Sequence, residues 1–215
     1  MPETVSIATQ VVTDGLQGLS FHVYAPATIT LGDPVAFYES HSTHRISDQL
    51  QLVVEAEGPI PESALFKRVA RAWGLERTGT KIVERLKSLV PASLPRTEES
   101  HETFYWPANV EPKTWIGFRV ADATEGSKRH VTEVCIEEVA ALALHVVREA
   151  GAPARSDIAK AVCRLIGMAR TPADAERRVM DAVGVLVAAN LLSDASGALR
   201  LYERDPYRFG NPLSR

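Results

Sequence analysis

Cysteine is nearly absent: Cys135 and Cys163 are the only two in 215 residues. They form no Cys-x-x-Cys pair, so neither a zinc site nor a disulfide framework is expected, and a reducing cytoplasm is the simplest setting. Long apolar runs are lacking too. The best candidate, Val183 to Leu192, is broken by Gly184 and Asn190 and reads as a buried helix rather than a membrane span. No basic stretch followed by an apolar one opens the chain, so no signal peptide is expected. The Gly-x-x-x-x-Gly-Lys-Ser/Thr phosphate loop is missing, which excludes a nucleotide-driven motor of that type. No serine sits in a nucleophile-elbow context and no clear nuclease cluster appears, so the chain is expected not to be an enzyme and to carry no cofactor. His41-x-x-His44 has no nearby partner at ligand spacing, so no metal is expected. Positive charge is not in excess: the formal net charge is −3. That argues against a uniformly basic surface but leaves room for a local basic face.

What the chain does have is a repeat. Gly58 to Gly74 and Gly151 to Gly167 align without a gap at an offset of 93. The same offset maps Lys67 onto Lys160, Val69 onto Val162, Arg71 onto Arg164, and Arg77-Thr78 onto Arg170-Thr171. Two copies of one small folding unit are expected. With 45% hydrophobic residues, each can bury a core.

The pattern within a copy predicts three helices and a hairpin. In the first, Ser47 is the expected cap of a helix ending at Gly58-Pro59. Pro61-Glu62-Ser63 opens a second, whose Leu65, Phe66, Val69, Ala70 and Trp73 share one face. Thr78 is the expected cap of a third, which Pro91 closes. Ala92 to Arg96 and Thr103 to Trp106 then read as a hairpin. In the second copy the helices are expected from Glu137 to Ala150, from Arg155 to Ile166, and after Thr171-Pro172, with a hairpin from Leu191 to Leu201. The fold class expected is α+β, mainly α with small hairpins: two tandem winged helix-turn-helix domains at 46–107 and 132–202. An N-terminal β-rich extension, 1–45, rests on alternation in Val5 to Ala8 and Leu19 to Tyr24. A linker, 108–131, is pinned by Trp115, Ile116 and Phe118, and 203–215 is an irregular tail.

Four separated motifs carry a family resemblance. They are Val53-Val54-Glu55-Ala56-Glu57-Gly58-Pro59-Ile60, Arg68 through Gly79, Phe104-Tyr105-Trp106-Pro107, and Ile166-Gly167-Met168-Ala169-Arg170-Thr171. In this order they resemble an uncharacterised bacterial domain at the C-terminal end of large superfamily I helicase-related proteins, where it follows a helicase motor and a restriction-nuclease-like domain. The resemblance spans residues 46–202. It implies a DNA-processing context, with helicase and nuclease domains of the same or a partner polypeptide as companions, and it supplies no catalytic residue.

The candidate interface follows from charge. From Phe66 to Ser88 there are seven basic residues against two acidic ones. Lys67, Arg71, Arg77, Thr78, Lys81 and Arg85 are the candidate DNA-binding residues of the first copy, because phosphate contacts need Lys and Arg near the start of a recognition helix. Arg170 and Arg177 are the candidates of the second, where Arg155 to Asp181 holds six basic and four acidic residues. The alternative is a solvated helix face whose charged stems cover the core. Trp73 and Trp106 are expected to be core anchors. The function expected is a non-catalytic DNA-binding accessory module gripping mainly the phosphate backbone. The rival is a protein-docking or dimerisation module, as in the kleisin-binding winged-helix subunits of bacterial condensins. No membrane partner is expected, and oligomeric state is left open.

Overall fold

The computed structural model describes residues 19, 21–99, 102–195 and 197–202. These form an α+β protein with six α-helices and three small sheets among the described residues. Strand β1 is Phe21–Val23, and two 3-10 turns, Val35–Tyr38 and Ser40–Ser42, lead from it into helix α1, Thr43–Glu57. Then come β2 (Ile60–Pro61), α2 (Glu62–Ala72), α3 (Thr80–Leu89), β3 (Arg96–Glu99) and β4 (Glu102–Tyr105). Strand β5 (Phe118–Val120) precedes α4 (Ile136–Ala150), α5 (Arg155–Leu165), α6 (Ala173–Ala188), β6 (Leu192–Ala195) and β7 (Ala198–Leu201).

The offset seen in the sequence recurs in space. Helices α1 and α4, α2 and α5, and α3 and α6 each begin 93 residues apart. Strand order repeats as well. In the first copy β4 lies between β2 and β3. In the second, a single antiparallel bridge from Ala154 to Ala198 takes the place of the β2–β4 pairing, and β7 pairs with β6. Both second helices end alike. Gly74 (φ 70) and Gly167 (φ 89) adopt the left-handed backbone that glycine tolerates best. The next N–H returns to the helix in each case, Leu75 to the Ala70 carbonyl at 3.0 Å and Met168 to the Cys163 carbonyl at 2.8 Å.

Each copy has its own core. In the first, Leu65, Phe66, Val69 and Ala70 of α2 meet Ile46, Leu50, Val53 and Val54 of α1 around Phe37 and Trp73. In the second, the apolar faces of α4, α5 and α6 close around Leu142, Val162 and Val183. Strand alternation joins the two copies. Tyr105 points into the first core, while Phe104 and Trp106 face the other way, toward Cys135 at the start of α4. Trp115 packs edge-on against Trp106, with ring centroids 5.5 Å apart.

Several boundaries differ from the sequence expectation. Helix α1 starts at Thr43, not after Ser47, because Ile46 is already part of the buried stripe and extends the helix one turn back. Thr78 and Thr171 are not caps. Helix α3 starts from Gly79, whose backbone is extended, and α6 from Pro172, and neither has a side-chain cap. The first hairpin is tighter and later than expected, because pairing Arg96 with Tyr105 is the register that buries Phe104 and Tyr105 on opposite faces. In the described part of the 1–45 segment the β character is confined to β1, which pairs in parallel with β5, so the 108–131 segment supplies a strand rather than a plain tether. The expectations for Val5 to Ala8 and for 203–215 lie outside the described residues.

Candidate functional site

The candidate residues separate into groups. Lys67 and Arg71 are exposed on the outer face of α2, one turn apart, opposite the buried stripe. Arg77 lies exposed in the turn after α2, and Lys81 is exposed in the first turn of α3. None of these four makes an ion pair among the described residues. Thr78 is half-buried beside them. No acidic residue lies in the first turn of α3, and no side chain caps it. The partial positive charge of the helix start is therefore left uncompensated, next to two cations.

Arg85 does not belong with this group. Its Nε donates to the Phe37 carbonyl at 2.9 Å and its Nη2 to the Glu39 carbonyl at 3.1 Å, and its guanidinium sits over the Phe37 ring. It holds the turn that delivers Phe37 to the core. Lys87, also on α3, is tied to Glu62 at 3.2 Å.

In the second copy Arg170 and Arg177 are exposed, one before α6 and one on it. Here the first turn contains Asp174 and Glu176, which neutralise the helix start. The neighbouring Arg178 reaches back to the first copy's hairpin, donating to Glu99 Oε2 at 2.5 Å and to the Val134 carbonyl at 2.7 Å. Glu99 also accepts from the Ile136 backbone N–H at 2.7 Å. Part of α6 is thus occupied by contact between the copies.

Sequence reasoning missed a buried charge network at the junction. Glu138, fully buried on α4, accepts from Arg119 Nη2 at 2.6 Å and Arg129 Nη2 at 2.8 Å. Arg119 continues to the end of α1, donating to the Glu57, Gly58 (3.0 Å) and Pro59 (2.9 Å) carbonyls. These carbonyls have no partner within the helix, so Arg119 satisfies them and links the copies at once. Glu57 in turn accepts from Arg68 at 2.9 Å and from the Tyr24 hydroxyl. The Tyr24 ring lies under both junction arginines, 5.4 Å from Arg119 and 4.6 Å from Arg129. Burial pushes the Glu138 carboxyl up, but the two guanidinium groups outweigh it and hold it down from 4.5 to about 2. Burial raises the Tyr24 phenol, and Glu57 beside it raises it further, so Tyr24 stays a neutral donor. The only sequence signal for this network was a charged residue inside the apolar Phe118-Arg119-Val120 strand.

Beside this junction, α2 and the segments around Tyr24 and Glu125 to Glu133 enclose a cleft of about 330 Å³. Lys67, Arg68, Arg71, Lys128 and Arg129 all line it. At the other end of the first copy, His41 and His44 are exposed, with His44 Nδ1 2.8 Å from Asp48. The described residues contain no group of three or more potential metal ligands. No helix among them is long and apolar enough to cross a membrane.

Residues 35–84 match a family model described as a protein of unknown function (DUF3320). The match runs from the turn carrying Phe37 through α1 and α2 into α3, and so includes Lys67, Arg71, Arg77 and Lys81. Comparison with curated proteins and with solved structures gives no match.

Proposed function

We propose that the chain is a non-catalytic nucleic-acid-binding module whose first copy docks on duplex phosphates through the α2–turn–α3 surface. Both copies are read as winged helix-turn-helix units. Their order of helix, strand, helix, helix and hairpin, with the first strand beside the last, supports that reading. The observation that carries the function is the set Lys67, Arg71, Arg77 and Lys81. All four are exposed and without ion-pair partners among the described residues, and two flank a helix start with no acid in its first turn. A cation that the fold does not neutralise is available to a phosphate, and each phosphate it neutralises releases a counterion. The contacts are to backbone, so little sequence preference is expected. The domain resemblance supports helicase and nuclease companions for such a module.

Fluorescence anisotropy with a labelled duplex tests this. With three to four phosphates engaged, log Kobs should fall against log salt with a slope of roughly −3. An affinity that stays flat from low to moderate salt is incompatible with the proposal.

One observation favours the rival reading of a protein-docking module. Phe21 is 60% exposed and stacks on Phe118, with ring centroids 5.4 Å apart, at the edge of an apolar groove shared with His145 and Leu165. Nothing in the groove specifies an occupant, and the duplex reading accounts for more of the surface.

A further inference from the structure

The cleft beside α2 holds more positive charge than the fold neutralises. Five cations and three carboxylates line it. Arg68 is matched by Glu57, Lys128 by Glu125 at 2.5 Å, and Arg129 shares Glu138 with Arg119. Lys67 and Arg71 have no ion-pair partner among the described residues. Arg129 is only 9% exposed, and its Nη1 and Nη2 are already bound to Glu138 and the Arg119 carbonyl.

Beside Tyr24, the apolar part of the lining comes from Pro26, Pro59, Ile60, Pro61 and Ala64. Its size lies at the small end of the range for ligand pockets, about 300–1,000 Å³. A concave site of that size is too narrow to take a duplex inside it, though Lys67 and Arg71 at its rim can meet duplex phosphates, and it admits a strand end or a single nucleotide. A phosphate monoester carries close to two negative charges at neutral pH, and the low-dielectric walls of a cleft focus the field of its cations.

We propose that this cleft binds the terminal phosphate monoester of a nucleotide, free or at the end of a strand. Lys67 and Arg71 are the direct phosphate contacts, Arg129 lies at the back, and the proline-rich wall meets the organic portion. The site goes beyond the duplex-docking surface. That surface can fail at Arg77 and Lys81 while the cleft still binds.

The test uses the full chain and short single-stranded oligonucleotides carrying a 5′-phosphate, a 3′-phosphate or only hydroxyl ends, with AMP and adenosine as free probes. One phosphorylated oligonucleotide should bind about tenfold tighter than the hydroxyl form, or AMP about tenfold tighter than adenosine, as expected for one or two charge-assisted hydrogen bonds. The first outcome identifies a strand end as the ligand and the second a free nucleotide. In either case Lys67→Gln/Arg71→Gln should abolish the preference. Both positions are exposed, so an unchanged thermal transition certifies the fold. Arg77→Glu/Lys81→Glu should keep the preference while weakening duplex binding. Equal binding of all three oligonucleotides together with equal binding of AMP and adenosine overturns the proposal, as does a preference that survives the Lys67/Arg71 double variant.

Discussion

The two copies share a frame and differ in what they present. Helix α3 begins with no acidic residue in its first turn and with Lys81 exposed, whereas α6 begins with Asp174 and Glu176. Around the first copy Lys67, Arg71, Arg77 and Lys81 make no ion pair among the described residues. In the second, Lys160 pairs with Asp157 at 3.3 Å, Arg155 with Asp194 at 2.5 Å, and Arg178 with Glu99 of the other copy. The copies share the buried stripe and the glycine at the end of the second helix, because packing and backbone geometry constrain both. Surface charge is less constrained: the positions matching Lys67 and Lys81 are Lys160, paired with Asp157, and Asp174, whereas those matching Arg71 and Arg77 are Arg164 and Arg170, exposed and without an ion pair among the described residues.

The strongest way to break this arrangement is at the junction that holds the copies together. Glu138→Ala would leave Arg119 and Arg129 buried without their shared counter-charge, a loss of about 3–5 kcal/mol. Urea denaturation followed by Trp fluorescence checks it, and a change below about 1 kcal/mol would show that the network is not what couples the copies. The same carboxylate sets an acid limit. Its folded value, about 2, lies below the ordinary 4.5, so its stabilisation is present above pH 4.5 and is lost as pH falls through about 2. In Glu138→Gln that part of the acid dependence should vanish from a pH series of thermal melts.

Gly74→Ala and Gly167→Ala sharpen the comparison in the buried frame. Each forces a Cβ onto a positive-φ backbone, and each new Cβ would come within 2.7 Å of a neighbour, Pro34 in one copy and Lys128 in the other. Losses of about 1–2 kcal/mol are expected in both, and of similar size if the copies are equivalent units. The smallest effect is expected at Glu137. Burial raises its carboxyl above the ordinary value, and its Oε2 is buried without a partner. Ionisation of this buried carboxyl works against folding, with a contribution that grows as pH rises from its unfolded value to its raised folded one. Glu137→Gln should therefore raise the thermal midpoint at pH 7 by a few degrees, corresponding to roughly 0.5–1 kcal/mol, and should change nothing at pH 3.

Much of this frame was legible in the chain. A gapless offset of 93 between Gly58–Gly74 and Gly151–Gly167 marks helix starts that recur at the same spacing in three dimensions. Helical periodicity placed Leu65, Phe66, Val69 and Trp73 on one buried face, because a 3.6-residue repeat is a local property. The junction was not legible. Strands β1 and β5 are three residues each, and their pairing spans almost half the chain, which no local pattern reports. Arg119 and Arg129 look like surface residues of a linker by composition. They are buried because Glu138 and the open carbonyls at the end of α1 converge there, a tertiary event. The bonds of Arg85 were hidden for the same reason: its partners, the Phe37 and Glu39 carbonyls, lie more than forty residues away. The helix caps failed differently. Thr78 and Thr171 fit a capping pattern, but both helices start two residues after them, with Gly79 and Pro172 at the cap position instead.

The central claim is that the first copy, and not the second, carries the phosphate-binding face. The most direct measurement compares duplex affinity across a salt series for the parent chain, Arg77→Glu/Lys81→Glu, and the matched pair Arg170→Glu/Arg177→Glu. The account predicts that the α3 pair lowers the salt slope by roughly two while the α6 pair changes it by less than about one. A parent-like slope in the α3 pair, or an equal loss in the α6 pair, would contradict it.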